Sequence, residues 1–454
     1  MRTGMTSPGS AVKNVKNARK RNEVGPKSRA ISELEGRHMA PGLQSFALYS
    51  GLAMARGRGS RLWDEDGNEY IDFIAGIAVG SVGHCHPHYV QRLQEQVEKI
   101  TFGSFTTEVR AKFLELLRTV TPPGLTRVSL FSGGAEAVEA AFRLAKSATG
   151  KHEFLGFTGA FHGKTGGVLP LLWGDFKKGL GPFVPGCYSA PYAYCYRCPL
   201  ELTYPDCGIA CAEKARDVIR DQTSGAIAAV IVEPMQGTAG NVIPPPGFLP
   251  AIQSIAKDNG AMLIADEMIT GFGRTGRMWG ADHDGVVPDA MTVGKGVGGG
   301  FPLSGLISTD ELTSHKPFSN PSGSSSSYGG NPLASAAGLA SLEIITRENL
   351  VENSERVGRA MLEKLRQMGE KHRVIGDVRG KGLLLGLELV KDRATKELVS
   401  KNDTKKLFQE CLRRGLVAMS YNPIIRINPP LNTDEATALE GLEILDEAIG
   451  EVFP

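Results

Sequence analysis

Three short apolar runs, AIAAVIVEP (226–234), AMLIADE (261–267) and AMTVGK (290–295), decide the fold, and each runs into a charged residue. None alternates apolar with polar, so each reads as a strand buried on both faces. VSLF (128–131), HEFLGF (152–157) and LSGLIST (303–309) extend the pattern. Between them lie helical periodicities, AEAVEAAFRLAKSA (135–148) and FLPAIQSIAKDNG (248–260). Buried strands alternating with amphipathic helices predict an α/β fold with a mostly parallel sheet covered on both faces. Ligands of such sheets bind beyond the carboxyl ends of the strands. Ser132–Ala135, Phe161, His162, Glu233, Asp266 and Lys295 all fall there.

Outward from this core the composition changes. A large domain is expected over 61–345 and a smaller α+β domain over 346–454. The smaller one has amphipathic helices in RVGRAMLEKLRQMGEK and KKLFQECLRRG, with a hairpin or two strands in GDVRGKGLLLGLELV. Residues 1–60 form an N-terminal arm or segment. Its first thirty residues carry eight Lys/Arg and one acid, Glu23. No apolar core follows, which excludes a secretory signal. An organelle transit peptide and a disordered or partner-docked arm both remain open.

Over 454 residues the formal charge is +2, which gives no electrostatic case for nucleic acid or a membrane surface. No run approaches eighteen apolar residues, so no membrane span is expected. Seven cysteines, an odd number in a large chain, point to a reducing, cytoplasmic setting. Cys195, Cys198, Cys207 and Cys211 are spaced C-x2-C-x8-C-x3-C. Four thiolates so spaced can hold zinc or an iron–sulfur cluster, but the x8 gap is short for a zinc ribbon. The other reading is a surface excursion with reduced thiols and no metal.

Glycine is in excess, 56 of 454 residues, and eleven lie between Gly271 and Gly305 around Lys295. A lysine at the end of a buried strand can be desolvated, which lowers its pKa and makes the amine nucleophilic toward a carbonyl. Asp266 points a carboxylate into the crevice, where it can keep a pyridine nitrogen protonated, cap a helix or bind Mg²⁺. Gly133, Gly134 and Ala135 open a helix whose free N–H groups make a phosphate cup, or simply a tight turn. Gly271-Phe272-Gly273-Arg274-Thr275-Gly276 satisfies G-x-G-x-x-G, but no amphipathic helix or ribose-binding acid follows, so a dinucleotide site is not expected.

Phosphate cup, Phe-His-Gly, aspartate and lysine, in this order along the chain, resemble the class III aminotransferases, pyridoxal 5'-phosphate enzymes of fold-type I. The resemblance runs from about Leu62 onward through SGGAEAVEAA (132–141), FHGKT (161–165), VEPMQG (232–237), LIADEMITGFGRTGRMW (263–279), GKGVGGGFPLSG (294–305), SYGGNP (327–332) and IRINPPL (425–431). It implies that Lys295 forms the Schiff base and shuttles the substrate proton, and that Asp266 holds the pyridinium. Phe161 would stack on the ring beside His162, and Glu233 would belong to the cofactor site. Gly134 and Ala135 would bind phosphate. Ser327, usually Thr, would reach the phosphate of a neighbouring subunit, implying a homodimer with shared sites. Arg426 would clamp a substrate carboxylate.

Departures from the family pattern bear on substrate. Ser132-Gly133-Gly134 stands for the usual Asn-Ser-Gly, Ile269 for a common Gln, and Thr238 for the switch glutamate of ornithine- and 4-aminobutyrate-type members. Ile77 instead matches 4-aminobutyrate-type members and disfavours decarboxylation. The segment 101–107 is expected to line the pocket with Ile77, Thr238 and Arg426. The resemblance thus implies transfer of an amino group from an ω-amine or amino acid, 4-aminobutyrate-like, to a 2-oxo acid such as 2-oxoglutarate or pyruvate. A racemase or dialkylglycine decarboxylase-like enzyme on the same scaffold is the alternative.

Overall fold

The computed structural model describes residues 22–454, so the basic residues from Arg2 to Arg21 lie outside the described residues. The described chain begins with helices Pro26–Gly36 and Ser45–Ser50. An antiparallel sheet follows, of β1 (Met54–Arg58), β2 (Arg61–Asp64) and β3 (Glu69–Asp72).

The central sheet has seven strands: β4 (Arg127–Phe131), β5 (Glu153–Phe157), β6 (Cys187–Ala190), β7 (Ile227–Val232), β8 (Met262–Asp266), β9 (Ala290–Val293) and β10 (Ser304–Ser308). Their order is β4-β10-β9-β8-β7-β5-β6. Every residue of β7, β8 and β9 is buried, as their unbroken apolar runs require. All strands run one way except β10, which is antiparallel to both its neighbours. Only residues 294–303 separate β9 from β10. A parallel crossover needs a dozen or more residues, so a connection this short must reverse the chain.

Helix Gly134–Thr149 buries an Ala-rich stripe against one face of this sheet. Helices Ala210–Gln222 and Phe248–Asp258 cover the other. A third core joins helices Pro332–Arg347, Leu350–Lys371 and Glu435–Val452 to the C-terminal strands. Pro332–Arg347 is buried almost all round, and its N-terminus is capped by Asn331 Oδ1, which accepts from the Ala334 N–H at 2.9 Å.

The C-terminal sheet is built from β11 (Ile375–Lys381), β12 (Leu384–Asp392) and the short β13 (Glu397–Leu398). After helix Lys401–Arg413, β14 (Leu416–Val417) pairs in parallel with β3 and ties the end of the chain to its beginning. β15 (Ile424–Ile427) then pairs with β12 and carries Arg426 opposite Gly386. Among the described residues no helix is long and apolar enough to cross a membrane.

Helix Leu350–Lys371 lies directly on the β11–β12 turn because residue 358 has no side chain. A Cβ on Gly358 would fall 2.0 Å from the Gly382 carbonyl oxygen, a backbone atom that cannot swing away. Gly358→Ala is therefore expected to cost about 3 kcal/mol. In urea unfolding the midpoint should fall while the slope stays constant.

Candidate active site

Lys295 follows β9 with a left-handed φ of 45°, which turns it out of the sheet. Its side chain lines a cavity of about 410 Å³ together with Gly134, Ala135, Phe161, His162 and Val79. Five of the residues expected at the site therefore meet on one cavity. Burial pushes the Lys295 pKa down; Asp266 and Glu233 oppose this, and Arg426 adds to it.

Asp266, at the end of β8, is 1% exposed and sits behind the cavity wall. Its Oδ2 is 2.6 Å from His162 Nδ1, and its Oδ1 accepts from the Met268 N–H at 3.1 Å. Burial opposes protonation of His162, but the hydrogen bond and charge of Asp266 outweigh it and raise the imidazole pKa. His162 Nε2 is buried without a partner.

Glu233 is engaged on both oxygens, accepting from the N–H groups of Phe161 and Gly237 at 2.9 Å each. It thereby fixes the backbone that carries the Phe161 ring. Burial pushes its pKa up. Tyr192, not singled out in the sequence, supports this turn by donating to the carbonyls of Glu233 and Pro234.

At the start of helix Gly134–Thr149 the Glu136 carboxylate accepts from the N–H groups of Ser132 and Gly133, at 3.1 and 2.7 Å. Glu136 was legible as the acid three residues past a helix start. It closes the outer part of the cup and leaves Gly134 and Ala135 as the first N–H groups at the cavity. Two such groups at a positive helix end suit a phosphate.

Arg426 is half-buried, and desolvation lowers its pKa while Tyr421 and Glu233 oppose the shift. Its guanidinium makes no ion pair or hydrogen bond among the described residues, which leaves the fork open to an anion. Ile77 packs on the cluster holding Met419 and Tyr421. Ile269 is buried against Ala78, Met235 and Leu384. Ser327, expected at a neighbouring subunit's phosphate, is exposed in its own chain. Of the residues expected to line the substrate pocket, Ile77, Thr238, Arg426 and the segment 101–107 do not line the Lys295 cavity, and Phe102 and Phe105 are 75% and 85% exposed.

Cys195, Cys198, Cys207 and Cys211 do converge on one small cavity. All seven cysteines are free thiols, and among the described residues no group of three or more ligands is arranged to hold a metal ion.

A phosphate-bearing aromatic aldehyde fits this donor set. Phosphate meets the free N–H groups at one end of the cavity and an amine of lowered pKa lies on its wall. An aromatic ring, a buried histidine and the buried aspartate behind it complete the set. His162→Ala would leave Asp266 buried without its charged partner and is expected to cost about 3 kcal/mol. Because the imidazole pKa is raised in the folded state, this contribution is complete below about pH 6.5 and fades as pH rises through the higher folded value. Urea unfolding of the two proteins at about pH 6 and about pH 9 should show the gap shrinking with pH.

Comparison with known proteins places this geometry. The family model described as "Aminotransferase class-III" matches residues 47–449. The acetylornithine aminotransferase of Methanopyrus kandleri is 39% identical over 76% of this chain and 82% of its own length. The leucine/methionine racemase of Thermococcus litoralis is 33% identical over 90% of this chain and 93% of its own. A solved (S)-enantioselective omega-transaminase from Thermomicrobium roseum superposes with a TM-score of 0.87 at 31% identity, covering 94% of this chain and 99% of that one. The chain belongs to the class-III aminotransferase family of pyridoxal 5'-phosphate-dependent enzymes.

Proposed function

We propose that the enzyme moves an amino group from an ω-amine or amino acid, 4-aminobutyrate-like, to 2-oxoglutarate or pyruvate in a ping-pong cycle. The observation that carries this reading is Arg426, a half-buried guanidinium with no ion pair or hydrogen bond among the described residues, whose charge helps to lower the Lys295 pKa. When bound, the cofactor supplies an electron sink for the carbon that bears the amino group. Gly134 and Ala135 would hold its phosphate, Phe161 would cover its ring, and Asp266, oriented by His162, would hold its ring nitrogen. Lys295 would hold it through the amine and, once freed, carry a proton to and from the donor carbon. A lowered pKa suits that exchange. Arg426 would take the carboxylate of donor and acceptor alike. Thr238, where relatives place a switch glutamate, offers no carboxylate to mask it.

The reading includes a homodimer in which Ser327 completes the neighbour's phosphate site. Ser327 is exposed and does not line its own cavity, and Phe102, Phe105 and Tyr328 are large side chains left in solvent, as a self-complementary contact would use. Within each subunit, an arm over 1–60, a large domain over 61–345 and a small domain over 346–454 would divide the work. A reducing cytoplasmic setting suits the seven free thiols.

Racemisation is a second reading, favoured by the likeness to the Thermococcus racemase over 90% of this chain. A panel of amino donors with 2-oxoglutarate and pyruvate as acceptors separates the two. Transamination needs the acceptor, whereas loss of optical activity does not. Lys295→Ala should abolish turnover and the visible absorption of the lysine-bound cofactor. Arg426→Gln should raise KM about 100-fold for donors with a carboxylate. It should leave 1-phenylethylamine, which has none, within about threefold. An equal loss for both donors would remove Arg426 from this role.

A further inference from the structure

Residues Ala75 to Ala78 form a left-handed turn with φ angles of 47, 64, 66 and 60°, and only Gly76 among them is a glycine. Three L side chains, one of them the β-branched Ile77, occupy backbone space that normally takes glycine. Such strain persists only where surrounding contacts impose it.

The turn stands between two cavities, which limits what packing alone can do. Val79 lines the cavity that carries Lys295. Ile74 and Gly76 line a second, largely apolar cavity of about 440 Å³. The hold comes from hydrogen bonds. Asp72, 2% exposed, accepts on Oδ1 from the N–H groups of Ile74 and Ala75, both at 2.8 Å. Its Oδ2 is 2.7 Å from His84 Nε2. His84 is pinned through its backbone, exchanging two 2.9 Å hydrogen bonds with Gly59. Its ring fits only because position 57 is glycine, where a Cβ would lie 2.6 Å from the His84 Cβ.

The turn is also locked to the segment that follows Arg426. The Asn428 N–H donates to the Phe73 carbonyl at 2.9 Å, and the Leu431 N–H to the Ser81 carbonyl at 2.8 Å. These bonds bracket the turn on both sides, so its shape sets how Ile77 and Val79 stand relative to Arg426. We propose that Asp72 and His84 are positioning residues for the amino donor, holding the strained turn that fixes the donor's side chain between Lys295 and Arg426. This rests on the transaminase reading of the same site.

The test is made on the holoenzyme, with the visible spectrum titrated by L-alanine, L-leucine and 4-aminobutyrate to give donor Kd values, alongside kcat and KM with pyruvate. In His84→Ala the donor-free spectrum should match wild type and kcat should stay within about threefold, while donor Kd and KM rise about tenfold. His84→Gln, which restores a donor toward Asp72, should recover most of that loss. Ala75→Gly removes strain without touching the anchors and should raise Tm. Unchanged donor Kd in His84→Ala, no recovery in His84→Gln, or a lower Tm in Ala75→Gly would overturn the inference. A wild-type spectrum that no amine perturbs would instead sink the reading of the site itself, and would be seen before any variant is compared.

Discussion

Burial of opposite charges at the carboxyl edge of the central sheet governs this structure. Asp266, Glu233 and His162 are buried, Lys295 and Arg426 are half-buried beside them, and these groups act on one another electrostatically. A lone ion in such a place would neutralise itself by shifting its pKa. The pKa shifts share out the burden. Burial lowers the lysine and the arginine and raises the glutamate, while the histidine is raised by its carboxylate partner. Charge is thus favoured on the paired histidine and disfavoured on the lysine amine. The parallel strands β7 and β8 supply this geometry, because each delivers an acid at its carboxyl end.

Close backbone approach is the second requirement, and it explains where the glycines gather. A Cβ on Gly134 would lie 3.0 Å from the Met268 sulfur, and one on Gly294 would lie 2.6 Å from the same atom. Met268 therefore fills the space between the helix start that offers free N–H groups and the strand end that delivers Lys295. Met is unbranched and adaptable enough to do so. The helix N-terminus and the lysine are set at a fixed spacing by one side chain packed against two positions that have none.

What was legible in the sequence follows from how local its cause is. Unbroken apolar runs ending in acids marked β7 and β8, and a lysine among glycines marked Lys295, because burial on both faces leaves a signature within six residues. The reversal at β10 was hidden in a count of connecting residues rather than in composition. Glu136 could be read as a helix-start acid, but its two backbone contacts depend on the strand–helix turn. The left-handed turn at Ala75–Ala78 carries no warning beyond Gly76. Its conformation is imposed by Asp72 and His84 together with strands paired to the far end of the chain. Ser327 and the exposed Phe102 and Phe105 lie in solvent in this chain, so the proposed dimer contact leaves no periodic signature in the sequence around them.

The G-x-G-x-x-G match at Gly271–Gly276 shows how a motif can be real and its usual meaning absent. Its arginine, Arg274, is 1% exposed and has no carboxylate within hydrogen-bond reach among the described residues. Burial pushes its pKa down to about 9, with Asp72 pulling the other way. The guanidinium donates instead to the carbonyls of Leu383 at 3.2 Å and Pro429 at 2.5 Å, and makes a long contact to Ser81 Oγ at 3.4 Å. Those three acceptors belong to the start of β12, the segment after Arg426 and the segment after the left-handed turn. A buried cation that meets only neutral oxygens, with its Nε left without a partner, is costly, and an apolar residue would pack there at lower cost. What it adds is directional bonding to three separate segments at one point. The segment after β15, the segment after the turn that carries Ile77 and the loop before β12 are thereby joined through a single side chain.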